Sequence, residues 1–72
     1  MGSISTLKEY VVTLDKDEDG MVFARCEELH ANSEGKTEEE AIQNVKEAIE
    51  LMLEDLNKSK HFSIKLIRKY SD

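Results

Sequence analysis

Thr37-Glu38-Glu39-Glu40-Ala41-Ile42-Gln43-Asn44-Val45-Lys46-Glu47-Ala48-Ile49-Glu50 is where the periodicity of this chain changes, and that change decides the fold. Thr37, with Glu40 three positions on, is a capping-box signature, and Glu38, Glu39 and Glu40 put negative charge where the positive end of a helix dipole falls. Ala41, Ile42, Val45, Ala48, Ile49, Met52, Leu53 and Leu56 then recur at steps of three and four. Gln43, Lys46, Glu47, Glu50 and Glu54 occupy the remaining faces. The spacing predicts one amphipathic helix running to about Asn57, which can take a left-handed cap, with Lys58 and Lys60 near the negative helix end. A helix of this length is marginal in water, so its apolar stripe must lie on something.

The support lies on both sides of it in the chain. Residues 7 to 15 are rich in β-branched and aromatic types, with Tyr10, Val12 and Leu14 on one face at a spacing of two. Asp17-Glu18-Asp19-Gly20 supplies a tight turn, and Met21 to Cys26 resumes the strand pattern, so residues 8 to 26 read as a β-hairpin. Ala31 to Glu34, closed by Gly35, predicts a short third strand at the sheet edge. Phe62 to Tyr70 predicts a last strand, with Phe62, Ile64 and Leu66 on one face. The chain is thus expected to be a single α+β domain over residues 1–72, with residues 1–6 a loose lead-in. Its expected form is a β-β-β-α-β antiparallel-rich sheet with one helix packed on one face. One helix covers one face, which leaves Val11, Met21, Phe23 and Ile67 on the other among Thr13, Arg25, Lys65 and Lys69. That open face is the expected docking surface, for a protein partner or a second copy.

Composition narrows the function classes. The 72 residues carry 10 Lys plus Arg against 16 Asp plus Glu, a formal net charge of −6, which disfavours nucleic-acid binding by bulk electrostatics and suits a basic protein partner. A chain this short buries only about 60% of its unfolded surface, which favours a homo-dimer or higher assembly. No apolar run approaches the roughly 20 residues needed to cross a bilayer, and Met1-Gly2-Ser3-Ile4-Ser5-Thr6 lacks the basic flank and apolar stretch of a signal peptide. The expected location is therefore cytoplasmic, with no membrane contact.

The chemistry-bearing residues do not assemble into a catalytic pattern. Asp15-Lys16-Asp17-Glu18-Asp19-Gly20 matches the first half of an EF-hand loop, yet the position that needs a bidentate Glu is Cys26 and the flanks are strands. Hairpin chemistry explains the same residues. His30 and His61 are far apart and have no Cys or Asp at nucleophile or metal-ligand spacing, and the single cysteine, Cys26, alternates with Val22 and Ala24 as a small core residue does. No catalytic residues, metal or cofactor are expected, and the protein is not expected to be an enzyme.

Three stretches together, Val11 to Gly20, Ala24-Arg25-Cys26-Glu27-Glu28-Leu29 and Thr37 to Glu50, resemble the N-terminal domain of HicB-type antitoxins over about residues 8 to 56. The resemblance implies a partial ribonuclease-H-like fold without nuclease activity. It also implies a protein that docks on a small basic mRNA-cleaving toxin, covers its active site and self-associates. Where the family usually has a Pro-x-Leu-Pro-Gly-like segment, this chain has Glu27-Glu28-Leu29-His30-Ala31. Full-length antitoxins carry a C-terminal DNA-binding module, whereas only Ser71 and Asp72 follow Tyr70 here, so direct DNA binding is not expected. Two other readings compete: a metal-dependent nucleic-acid-processing protein using Asp15, Asp17 and Asp19, and an orphan structural oligomeric adaptor.

Overall fold

The computed structural model describes residues 8–70. The expected loose segment at residues 1–6 lies outside them. Strands β1 (Lys8–Lys16), β2 (Val22–Cys26) and β3 (Ala31–Gly35) form an antiparallel meander, followed by helix α1 (Glu38–Asp55) and strand β4 (Phe62–Arg68). The spatial order is β3-β2-β1-β4, and β4 runs parallel to β1. The sheet is therefore mixed, with two antiparallel pairings and one parallel one. The parallel pairing follows from the helix: 18 residues span roughly 27 Å and return the chain to the end where β1 begins.

Each boundary has a local cause. In the first turn, the Asp17 carboxylate accepts the backbone N–H groups of Asp19 and Met21, both at 2.9 Å, while Gly20 takes φ 89°. The second turn places His30 at φ 56°, its N–H donating to the Glu27 carbonyl at 3.2 Å. Thr37 is the N-cap, its hydroxyl accepting the Glu40 N–H at 3.1 Å. The Glu40 carboxylate reaches back to the Lys36 N–H at 2.6 Å, one residue earlier than in a standard capping box. At the other end Asn57 sits at φ 60°, with its N–H donating to the Glu54 carbonyl and the Lys58 N–H to the Leu53 carbonyl. That is a Schellman closure with Asn in the left-handed position.

The core is a single layer between helix and sheet. Ala41, Val45, Ile49 and Leu53 of α1 are fully buried against Tyr10, Val12 and Leu14 of β1, Val22, Ala24 and Cys26 of β2, and Ala31 of β3. Ile42, Ala48 and Met52 pack at its margin. Leu56, expected in the apolar stripe, is instead 51% exposed, because the helix ends at Asp55 and Leu56 serves as the C-cap. The last turn carries no basic residue; Lys60 lies beyond it and bridges to Glu54 at 3.3 Å. Met21, expected to open the second strand, precedes β2 and is half-buried, and the last strand stops at Arg68 rather than Tyr70.

The helix packs against β3 and β2. Small side chains allow this, and the closest approach is at Gly35, where a Cβ would stand 2.5 Å from the Ala41 backbone nitrogen and 2.8 Å from the Glu40 Cβ. Phe62, Ile64 and Leu66, under the far flank of the helix, are consequently only half-buried, with Phe62 edge-on to Tyr10 at 5.8 Å. The two glycines should therefore answer differently to alanine. Gly20→Ala meets empty space and is expected to cost about 1 kcal/mol for its positive φ. Gly35→Ala should cost more, about 1–3 kcal/mol, because backbone must shift. Urea denaturation of both variants checks the ranking.

Candidate interaction surfaces

The sheet face away from the helix is built by alternation. With Tyr10, Val12 and Leu14 inward, β1 turns Val11 and Thr13 outward; β2 does the same with Phe23 and Arg25, and β4 with Lys65 and Ile67. Val11, Phe23 and Ile67 are 43%, 38% and 41% exposed. The register aligns them across strands: Val11 stands beside Lys65, Thr13 beside Arg25 and Ile67, and Phe23 between Asp15 and Glu34. Of the four residues predicted for an interface, three share this face within strands, and Met21 sits at its rim just before β2. Over β2 and β3 the face carries an open hollow of about 330 Å³, lined by Phe23, Ala24, Arg25, Asn32, Ser33 and Glu34.

The face is balanced in charge, with Glu9, Asp15 and Glu34 against Arg25, Lys65 and Lys69. The acidity of the molecule lies elsewhere. Helix α1 holds seven carboxylates against Lys46 alone, a net −6 within 18 residues. On its outer side Leu51 is 66% exposed, the most exposed large apolar side chain among the described residues. It borders a shallow hollow of about 270 Å³ with Glu47, Glu50, Glu54 and Lys60. An apolar knob ringed by carboxylates can receive a basic side chain and its aliphatic stem.

The acidic turn is occupied by its own backbone. Asp15 accepts the Lys16 N–H at 2.8 Å, and Asp17 is held by the two turn N–H groups already described. Among the described residues no three His, Cys, Asp or Glu side chains come together as metal ligands. Cys26 is fully buried in the core.

One polar cluster was not legible in the sequence. Arg68, whose side chain turns to the helix side of β4, donates from Nε and Nη2 to the two carboxylate oxygens of Glu38 at 2.7 and 2.8 Å. The Tyr70 hydroxyl donates to the same carboxylate, and Lys16 Nζ stands 4.6 Å from the centre of the Tyr70 ring. This clamp ties the end of β4 to the helix N-terminus and the end of β1. Hydrogen bonds from Arg68 and then Tyr70 hold the Glu38 carboxyl at about 2, well below its ordinary 4.5. Burial, with Glu38 next in weight, pushes the Tyr70 hydroxyl up. A signal existed only as a Glu at the first helical position and an Arg and a Tyr at the chain's end, 30 and 32 residues away.

The sign of the pH effect follows from the lowered carboxyl. The contribution of Glu38 is full above its unfolded value near 4.5 and fades as pH falls toward 2. Urea midpoints of the wild type and Glu38→Gln should differ at pH 7 and converge between pH 4.5 and 2. A constant difference across that window would mean that the carboxylate charge plays no part.

Fold and surface together define a small α+β protein with one helix on a four-stranded mixed sheet, a charge-balanced open face and an acidic helix. No family model matches the chain, and no solved structure matches it. Two curated proteins of Synechocystis sp. do. UPF0150 protein ssr1765 is 52% identical over 48 residues, 65% of this chain and 61% of that protein. UPF0150 protein ssr1258 is 40% identical over 50 residues, 68% of this chain and 72% of that protein. The chain belongs to the UPF0150 family. It spans less than two thirds of the length of the first of these relatives.

Proposed function

We propose that this protein is a non-enzymatic binding module of the HicB antitoxin type, which sequesters a small basic protein in the cytoplasm. The carrying observation is the segregation of charge: the helix alone holds a net −6, and its most exposed apolar side chain, Leu51, lies among Glu47, Glu50 and Glu54. A toxin surface evolved to grip RNA phosphates is rich in Lys and Arg, and this helix offers it carboxylates in their place. The strand order β3-β2-β1-β4, a meander extended by a parallel strand after a helix, supports the reading as a reduced ribonuclease-H-like fold. No helix of the described residues is long and apolar enough to cross a membrane. Metal-dependent processing of nucleic acid is the weaker reading, because Asp15 and Asp17 are engaged by turn backbone.

The test is affinity capture by the tagged chain from nuclease-treated native lysate, followed by an RNA-cleavage assay on what is retained. One small basic ribonuclease, inhibited by added chain and released by salt, is the expected result. Glu47→Lys with Glu50→Lys should weaken capture about tenfold or more. Magnesium-dependent RNA cleavage by the chain itself, abolished by replacing Asp15, Asp17 and Asp19, would overturn the proposal.

A further inference from the structure

The geometry points to the outer edge of β4 as a site for an extended peptide segment of alternating apolar and acidic residues, added to the sheet as a fifth strand. This inference stands independently of the basic partner, which has the opposite charge and meets the outer side of the helix. Three observations carry it.

The first is the backbone. Strand β4 pairs only with β1, so its other side is an edge of the sheet. The Lys69 N–H donates to the Leu14 carbonyl at 2.9 Å, and in a parallel ladder alternate residues turn both backbone groups the same way. Ser63, Lys65 and Ile67 therefore face β1, while Phe62, Ile64 and Leu66 turn N–H and C=O outward. No described residue pairs with those outward groups. A row of free donors and acceptors is a template for another strand.

The second is charge. Residues 56–70 contain Lys58, Lys60, Lys65, Arg68 and Lys69 and no Asp or Glu, in a chain whose net charge is −6. Glu54 engages Lys60 and Glu38 engages Arg68. Lys58, Lys65 and Lys69 have no carboxylate partner among the described residues. Lys65 is the central residue of β4, so antiparallel pairing of two β4 edges would set it against itself. A carboxylate on an incoming strand turns the same lysine from a block into an anchor.

The third is shape. Because α1 settles over β2 and β3, Phe62, Ile64 and Leu66 stay half-buried on the helix side of β4. Beside Phe62 and Ile64 lies an open hollow of about 440 Å³, bordered by Lys46, Glu50 and Lys60. A strand laid along this edge turns every second side chain to the helix side, against those apolar residues, and the others to the open face, beside Lys65. Apolar residues in the first row and carboxylates in the second match both.

Amide hydrogen exchange of the full chain, followed by NMR with the blocked peptide Glu-Val-Glu-Val-Glu-Val-Glu as probe, tests the site. With probe at ten times its Kd, the outward amides of Ile64 and Leu66 are expected to slow about tenfold, while those of Ser63, Lys65 and Ile67 are already protected by β1. Lys65→Glu should weaken this probe about fivefold or more and accept its counterpart with Lys in place of Glu. Circular dichroism controls for folding, and Lys65→Gln is compared for the same weakening should the reversal unfold. Unchanged exchange at Ile64 and Leu66 up to millimolar probe overturns the inference. So does equal binding by the wild type of the Lys counterpart or of the block-ordered peptide Val-Val-Val-Glu-Glu-Glu-Glu. Protection of Ile64 and Leu66 that rises with the concentration of the chain alone would put a second copy on the edge and overturn it too.

Discussion

The close approach of α1 to β3 is the contact on which the rest of this molecule depends. Gly35 has no room for a Cβ against Ala41 and Glu40, and Ala24, Ala31 and Cys26 keep the sheet surface beneath the helix low. The helix therefore settles over β3 and β2, where its stripe of Ala41, Val45, Ile49 and Leu53 becomes fully buried. The Asn44 side chain donates to the Glu34 carbonyl at 2.8 Å, so the helix also satisfies an acceptor on the outer strand. A larger residue at position 35 would lift the helix N-terminus, and with it the carboxylate of Glu38 that Arg68 and Tyr70 grip.

From that placement comes the role of β4. A helix centred on the β2–β3 side cannot cover the far flank of the sheet, so Phe62, Ile64 and Leu66 are half-buried and hold β4 with less apolar surface than β1 commands. The deficit is met at the strand's end. The bidentate Arg68–Glu38 pair, with Tyr70 as a second donor, fixes β4 to the helix start, and the lowered carboxyl of Glu38 reflects how closely its charge is matched. Because this carboxylate also lies in the first turn of α1, it serves the helix dipole and the strand at once.

Legibility in the sequence followed the range of the interaction. The hairpin, the edge strand at Ala31–Gly35 and the N-cap at Thr37 rest on neighbours within a few residues, and all were readable from turn chemistry and period. So was the left-handed Asn57. Leu56 was misread because periodicity does not report where a helix stops, and the stripe continues in sequence one residue past Asp55, onto the C-cap. The clamp was invisible for a different reason: which way Arg68 points depends on the pairing of β4 with β1, a contact between residues more than fifty positions apart in the chain. The open face was legible as a set of alternating residues, but its charge balance was not. Only the register reveals that Glu34 and Lys69 terminate one row.

The separation of charge between the two sides of the domain then has a physical consequence for assembly. An 18-residue helix of net −6 is costly to place against another copy of itself, and any assembly that preserved its exposure would leave it free for a cationic partner. The sheet face carries no such penalty, and on it Lys65 stands beside Val11 while Arg25 stands between Thr13 and Asn32. A domain this small has one face to spare once its helix is docked, and a spare apolar face is a liability for solubility unless something covers it. Balanced charge on that face, against strong charge on the helix, gives the two sides of the molecule different electrostatic demands on whatever meets them. Neither surface need be remodelled for the other to be filled.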